Sequence, residues 1–320
     1  MNSLSRPDIS YLHKSINTKN NFFKRLIKEK NYWVLALPGI LYYLVFEYAP
    51  ILGNIIAFKN YNIYLGFINS PWVGLKYFKE FLGNPDFYVV LRNTLLLGLY
   101  ELLWSFPIPI IFALFLNEIG NERYKKILQT VSYIPHFISV IVVCGIISMV
   151  LSPTNGVINT MLNNTFGIKP VYFLGRPEWF RTIYISTGIW QNFGFDSIIY
   201  ISALTSINPN LYEASSIDGC GKLKKMKYVS IPGILPTVVV MLVLRTGSIM
   251  RIGFEKVLLL YSPMTYSVAD IISTFVYRAG LEDARFSYAT AVGLFNSVIS
   301  LLFIVASNFL SEKITENSLW

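Results

Sequence analysis

The chain alternates long apolar runs with short basic segments. Six stretches of roughly 20 mostly apolar residues, the length a helix needs to cross a bilayer, can be read along it: about 32 to 57, 93 to 116, 127 to 152, 182 to 204, 233 to 253 and 286 to 309. In hydrocarbon each backbone N–H and C=O must be satisfied inside the protein, so these runs predict helices rather than open sheets. The expectation is an all-α integral membrane protein with six transmembrane helices. Between the first two runs, SPWVGLKYFKEFL places Leu75, Phe78 and Leu82 at helical spacing and predicts a short amphipathic helix on the outer surface. Segment 153 to 181, punctuated by Pro153, Gly156, Gly175 and Pro177, reads as irregular.

Composition agrees with the pattern, since 53% hydrophobic and 14% charged residues over 320 positions are too apolar for a soluble domain. Lysine and arginine then set the orientation, because loops on the cytoplasmic side carry the excess. Segments 1 to 31, 117 to 126, 205 to 232 and 310 to 320 hold 15 of the 27, against 10 in the alternate loops. Both termini are therefore expected in the cytoplasm. The net charge of +9 is concentrated at membrane edges, where anionic headgroups attract it, and is not read as a nucleic-acid footprint. Residues 19 to 30, KNNFFKRLIKEK, carry Phe22, Phe23, Leu26 and Ile27 on one side, which suits an interfacial helix or a plain juxtamembrane anchor. The basic start lacks the apolar core and cleavage site of a removable signal peptide, so the first run is expected to remain as an anchor.

Candidate chemistry is sparse. Cys144 and Cys220 have no CxxC or histidine-rich surroundings, and His13 and His136 have no acidic neighbour in sequence, so no disulfide, metal site or catalytic constellation is predicted. A phosphate-cradling G-x-x-x-x-G-K-[ST] loop is missing; the nearest segment, SIDGCGKL, has Ser216 where the first glycine belongs and Leu223 where the hydroxyl belongs. The chain is not expected to hydrolyse ATP itself.

The segment between the fourth and fifth runs, INPNLYEASSIDGCGKLKKMKYVSIPGILP, is too structured for a simple turn. Asn208 or Asn210 can cap a short helix carrying Leu211, Ala214 and Ile217, and Gly219 or Gly221 can end it with positive φ. A second helix then runs to Pro232, just before the fifth span. Here a resemblance becomes specific. Glu213, Ala214, Ser215, Asp218 and Gly219, with Pro232 and Pro236 at the expected distance, resemble the EAA loop of binding-protein-dependent ABC importer permeases, with EAS where EAA is usual and Met226 where an aromatic is common. The resemblance extends over WVLALPGILYYLVFEYAPILGNIIAF, LRNTLLLGL, VSYIPHFIS, GFEKVLLLYSP and FSYATAVGLFNSVISL with the closing SLW, which are similar to carbohydrate-uptake permeases of the polysaccharide and complex-oligosaccharide branch.

That resemblance implies a type I importer bundle with an N-terminal helix around a five-helix core. Its organisation would be a cytoplasmic N-terminus at 1–31, a first helix and external loop at 32–92, a permease core at 93–309 with its coupling loop at 205–232, and a cytoplasmic tail at 310–320. It also implies a second, related permease as heterodimer partner, two ATPase subunits that use ATP and Mg, an external solute-binding protein, a carbohydrate substrate and a bacterial plasma-membrane location. No cofactor is expected on the chain itself. The alternative from another class is an ion-coupled secondary transporter, for which Glu47 and Glu101 are the candidate carboxylates, but the repeats that usually accompany such folds are missing.

Depth arithmetic at about 1.5 Å per helical residue places Glu101, His136, Gln191, Asn192, Arg245 and Asn296 in the central slab of a hydrocarbon core about 30 Å thick. Polar groups there must pair or face water. Sugars are held by planar polar groups and aromatic faces, so Tyr100 and Glu101 on the second span, Trp190, Gln191 and Asn192 on the fourth, Arg245 on the fifth and Asn296 on the sixth are the candidate substrate path. The competing reading makes Glu101 and Arg245 an interhelical ion pair and the amides packing glue.

Overall fold

The structure, a computed structural model, describes residues 30–315, with side chains through Phe309. His13, most of the basic stretch 19 to 30 and the closing SLW lie outside the described residues. Four continuous helices are long and apolar enough to cross a membrane: Lys30–Phe58, Pro85–Asn117, Lys222–Gly247 and Phe286–Phe309. A fifth crossing is broken, with Glu122–Phe137 and Val140–Val150 meeting at 97°. The stretch expected as the fourth span is helical but divided at Ser197 into Pro177–Asp196 and Ile198–Thr205. Gln191, Asn192, Asp196 and Ser197 make it less apolar than its neighbours. Among the described residues, length and composition thus support four spans, or five with the bent pair, where six were expected.

Proline dictates the irregularities inside the spans. Three π-helical turns, Leu44–Tyr48, Glu101–Ser105 and Met226–Ser230, each end two residues before a proline, at Pro50, Pro107 and Pro232. Proline has no N–H for the carbonyl four residues back and its ring collides with that carbonyl; a wider turn moves the carbonyl aside while the helix continues. Pro232 therefore does not end a helix. The coupling segment after Lys222 runs without interruption into the membrane helix, and the fifth span starts 11 residues earlier than the expected 233 and ends at Gly247. The third span breaks for a different reason: Ile138 is extended and the Ser139 hydroxyl caps the following helix by accepting from Val142 N at 3.4 Å.

Two loop expectations change. Segment 153 to 181 contains the helix Val157–Phe166, and its buried Asn159 donates to the carbonyls of Leu151, Ser152 and Val171. The outer helix forms over Lys76–Leu82, but its buried residue is Phe81 rather than Leu75 or Leu82, which are more than half exposed. Phe81 packs edge-on against Phe87 at 5.0 Å and Phe295 at 5.5 Å.

The chain divides at Ile55 into two units. In the first, every described residue from Lys30 to Leu52 is exposed, and most of them are apolar. Such a surface suits hydrocarbon and not water. The second unit holds three buried clusters. Leu97, Val143, Phe180, Tyr184, Val257 and Ile271 join the second, third and fourth spans to the segment after the fifth. Phe81, Met250, Ile272, Phe275 and Tyr288 lock the outer helix to the last span. Ala113, Leu114, Tyr200, Leu204, Met226 and Ile234 close the end that carries the coupling loop. Between the fifth and last spans, Asp270 and Arg278 form a two-point ion pair at 2.5 and 2.8 Å, and the hydrogen bonds that Arg278 donates to Asp270 hold the guanidinium above its ordinary value.

Candidate functional site

A polar cavity of about 310 Å³ opens among the second, third and fourth spans and the segment Gly253–Lys256. Its polar lining comes from Glu101, Ser105, Gln191, Asn192, Glu255 and Lys256. Glu101 and Ser105, four positions apart on the second span, share one face and both line this cavity, with the π turn running between them. Lys256 is buried and donates to the Tyr184 carbonyl at 2.7 Å, with its ammonium 4.7 Å from the centre of the Tyr184 ring. An ammonium has three donors, and this contact uses one.

The amides are held in fixed orientations. Asn192 Nδ2 donates to the Gly188 carbonyl at 3.1 Å, which turns Oδ1 toward His136 Nδ1 at 2.9 Å. That oxygen can only accept, so Nδ1 of His136 carries the proton. The imidazole also stacks on Phe195, with centroids 3.9 Å apart and planes within 3°. The two helices approach closely because residue 194 is glycine: a Cβ there would lie 2.2 Å from the Ser132 carbonyl oxygen. Gln191 is buried and donates to the Ile138 carbonyl at 2.9 Å, closing the break in the third span.

Several candidates from the sequence stand elsewhere. Arg245 does not pair with Glu101; its Nη2 lies 2.6 Å from Asp196 Oδ2, on the adjacent helix where the fourth span divides. Both members line a second hollow with Ser105, Phe106 and Tyr200. Tyr100 lines a third groove, one helical step of about 100° round from Glu101. Trp190 is 43% exposed and does not line the polar cavity. Asn296 does not line it either, and its Nδ2 lies 3.5 Å from the Met250 carbonyl. Sequence reasoning missed Lys256 and Asp196. Lys256 lies in a segment read as a loop between spans, and Asp196 is close to a helix end that depth arithmetic did not recognise.

The loop between the fourth and fifth spans is the second candidate. Asn208 caps the helix Pro209–Ile217 by accepting from Asn210 N at 3.0 Å, and Gly219 turns the chain with φ +72°. Ser215 is buried and bonds the Tyr212 carbonyl, while Tyr212 Oη and Ser230 Oγ, 3.0 Å apart, tie the short helix to the following one. Glu213, Ala214, Ile217, Asp218 and Gly219 are exposed on this braced turn, and Pro232 is exposed at the start of the following helix.

The family described as binding-protein-dependent transport system inner membrane component matches residues 88–316, which include the cavity and the loop. The chain belongs to this family. It is 41% identical over 295 residues to protein LplB of Bacillus subtilis (strain 168), covering 92% of each chain. It is 40% identical over 296 residues to the polygalacturonan/rhamnogalacturonan transport system permease protein YteP of the same organism, again covering 92% of each. Among solved structures it is similar to a chain of a bacterial ABC transporter involved in the import of the acidic polysaccharide alginate, with a TM-score of 0.86, 42% identity, and coverage of 92% of this chain and 99% of that one. A second alginate transporter structure, in complex with an alginate pentasaccharide-bound periplasmic protein, matches with a TM-score of 0.86, 41% identity, and coverage of 93% and 100%. Membership sets aside the ion-coupled secondary transporter, and the apolar helices are those of a multi-pass inner-membrane component.

Proposed function

We propose that the chain is one of two channel-forming subunits of an ATP-driven importer, and that it carries a sugar or oligosaccharide delivered by an external solute-binding protein. The observation that carries this reading is the braced turn 208–219, a short capped helix that presents a carboxylate and small residues outward between two membrane helices. A force-transmitting contact needs a rigid protrusion, and the bonds of Ser215, Tyr212 and Ser230 supply it. Glu213, Ala214, Asp218 and Gly219 dock on a separate ATPase subunit; Ser215 braces the turn from inside, and Pro232 continues it into the fifth span.

The polar cavity is one wall of the translocation path. Its mixture of amide, carboxylate and ammonium groups suits a hydroxylated solute, which exchanges hydrogen bonds with water for hydrogen bonds with the wall. The names of the relative YteP and of the alginate transporter support a carbohydrate, and the periplasmic protein in the alginate complex supports external delivery. Six spans with both termini in the cytoplasm, in a bacterial plasma membrane, complete the proposal; the fourth span is then Pro177–Thr205 with its break at Ser197.

Co-purification tests it. The chain, expressed with a second permease and an ATPase subunit from the same source, is expected to form a complex whose ATP turnover rises when the solute-binding protein and its sugar are added. A chain that assembles with no ATPase sinks the reading.

A further inference from the structure

The polar cavity leaves two cations unexplained. Arg92 lies on the second span and Arg181 one turn into the helix Pro177–Asp196, and neither belongs to the ion pairs formed among the described residues. Both are held instead by neutral groups. Arg92 Nη2 donates to the Ser267 carbonyl at 2.8 Å, and Arg181 Nη2 donates to Asn93 Oδ1 at 3.1 Å. Asn93 is fully buried and donates in turn to the carbonyls of Ser267 at 3.2 Å and Asp270 at 3.1 Å. Both guanidiniums thus meet the same turn, Arg92 directly at the Ser267 carbonyl and Arg181 through the Asn93 amide. The carboxylate nearest that turn, Asp270, is spent on Arg278.

This arrangement carries a cost. Each Nε is buried without an acceptor, an orphan worth about 1–3 kcal/mol, and two like charges held against one turn disfavour each other. Native proteins rarely keep such groups without a use. Arg181 also lines an open groove of about 630 Å³ with Tyr100, Trp104, Thr182 and Ser186. Glu178 reaches the same groove but forms no ion pair with Arg181.

The groove joins a planar cation, two aromatic faces and two hydroxyls. A guanidinium fork matches a carboxylate, aromatic rings give a pyranose ring a face to lie on, and the hydroxyls of Thr182 and Ser186 reach sugar hydroxyls. Ile185 lines both this groove and the polar cavity, so the two are neighbours on one helix. We infer that Arg181, positioned by Asn93 and backed by the charge of Arg92, reads a carboxylate on the solute, and that the substrate is an acidic oligosaccharide built of uronic acids. This rests on the import reading above and narrows its substrate class.

The test uses the full chain in nanodiscs of phosphatidylcholine, with tryptophan fluorescence as the readout and Trp104→Phe to assign the signal to the groove. The probes are tetragalacturonate and tetramannuronate, each beside its fully methyl-esterified form, which keeps the rings and removes the charge. At least one acid is expected to bind saturably, with its ester weaker by about tenfold or more. Arg181→Gln should erase the difference between acid and ester, and Arg181→Lys should recover part of it, because charge returns without the fork. Equal binding of acid and ester, no binding of either acid, or an unchanged preference in Arg181→Gln would overturn the assignment. Loss of the signal in discs of phosphatidylglycerol would assign the site to a lipid phosphate and overturn it as well. Stimulation of the partner ATPase by the wild-type chain separates the two levels: present without acidic-sugar binding, it overturns only the substrate class; absent, it overturns the import reading beneath it.

Discussion

Arg245 of the fifth span reaches Asp196 of the fourth, Nη2 to Oδ2, at 2.6 Å, immediately before Ser197 divides that span in two. The pair joins the two membrane helices whose ends are also joined by the loop 205–232. Motion of the loop relative to the bundle must therefore either preserve the pair or break it. Arg245 is 43% and Asp196 29% exposed in the side chain, so the hollow beside them admits solvent and the pair is weaker than a dry one. Asp196→Asn and Arg245→Gln are each expected to lower uptake in proteoliposomes, with a coupling energy of about 1 kcal/mol or more in a double-mutant cycle on thermal stability. Partial rescue by the exchange Asp196→Arg with Arg245→Asp would confirm that the charge pair matters. Two neutral single variants would reduce it to an accident of side-chain placement.

The cavity predicts a ranking between Asn192 and Asn296, which the sequence treated alike, and adds Lys256, which the sequence did not single out. Lys256 and Asn192 line it, whereas Asn296 does not and lies against Met250. Lys256→Gln and Asn192→Ala should cut oligosaccharide uptake by about tenfold, the loss of one well-made hydrogen bond or charge contact to a solute. Asn296→Ala should change it much less and act on stability instead. Transport kinetics over a range of solute concentrations decide this; a larger uptake defect in Asn296→Ala than in Lys256→Gln would mean that the path runs on the other side of the last span.

The apolar runs made most of the helices legible, because bilayer-length hydrophobicity leaves the backbone few other choices. The cap and the left-handed turn were legible to within two residues, as Asn208 or Asn210 and Gly219 or Gly221, because both are properties of a few adjacent residues; the structure uses Asn208 and Gly219. The break at Ser139 was hidden because Pro135-His136-Phe137-Ile138-Ser139 looks tolerable inside an apolar run. Phe81 was not singled out because its burial depends on Phe87 and Phe295 arriving from other helices, which local spacing does not encode. The partner of Arg245 was missed for the same reason. Two charges on neighbouring spans can be assigned only when the relative height of the helices is known, and the π turn at Glu101–Ser105 shifts that height midway along the second span.

Topology gives a test independent of transport. With Cys144 and Cys220 first replaced by serine, single cysteines at Lys76 and Arg176 should react with a membrane-impermeant maleimide added outside intact cells. A cysteine at Lys224 should react only after permeabilisation. The last position adjoins the exposed turn and the first two belong to the opposite end of the bundle in the six-span proposal. External labelling at 224 would invert the orientation and remove the coupling loop from the side where ATP is available.

Gly219 separates backbone strain from steric contact in the coupling loop. Its φ is +72°, yet a Cβ added there would meet nothing within 4 Å, so any defect of a substitution comes from conformation and not collision. Asparagine tolerates left-handed backbone better than a β-branched residue does. Gly219→Asn should therefore retain most stimulation of the partner ATPase, whereas Gly219→Val should lose most of it by straining the turn by about 1–3 kcal/mol. Glu213 is exposed on the same turn and makes no ion pair among the described residues, so Glu213→Lys is expected to remove its contact on the ATPase while leaving insertion intact. The two variants should differ in kind: raising the ATPase concentration is expected to restore part of the turnover with Glu213→Lys, a binding defect, and less with Gly219→Val, whose protruding turn has changed shape. Wild-type turnover in both, at limiting ATPase, would show that the loop does not transmit the stroke.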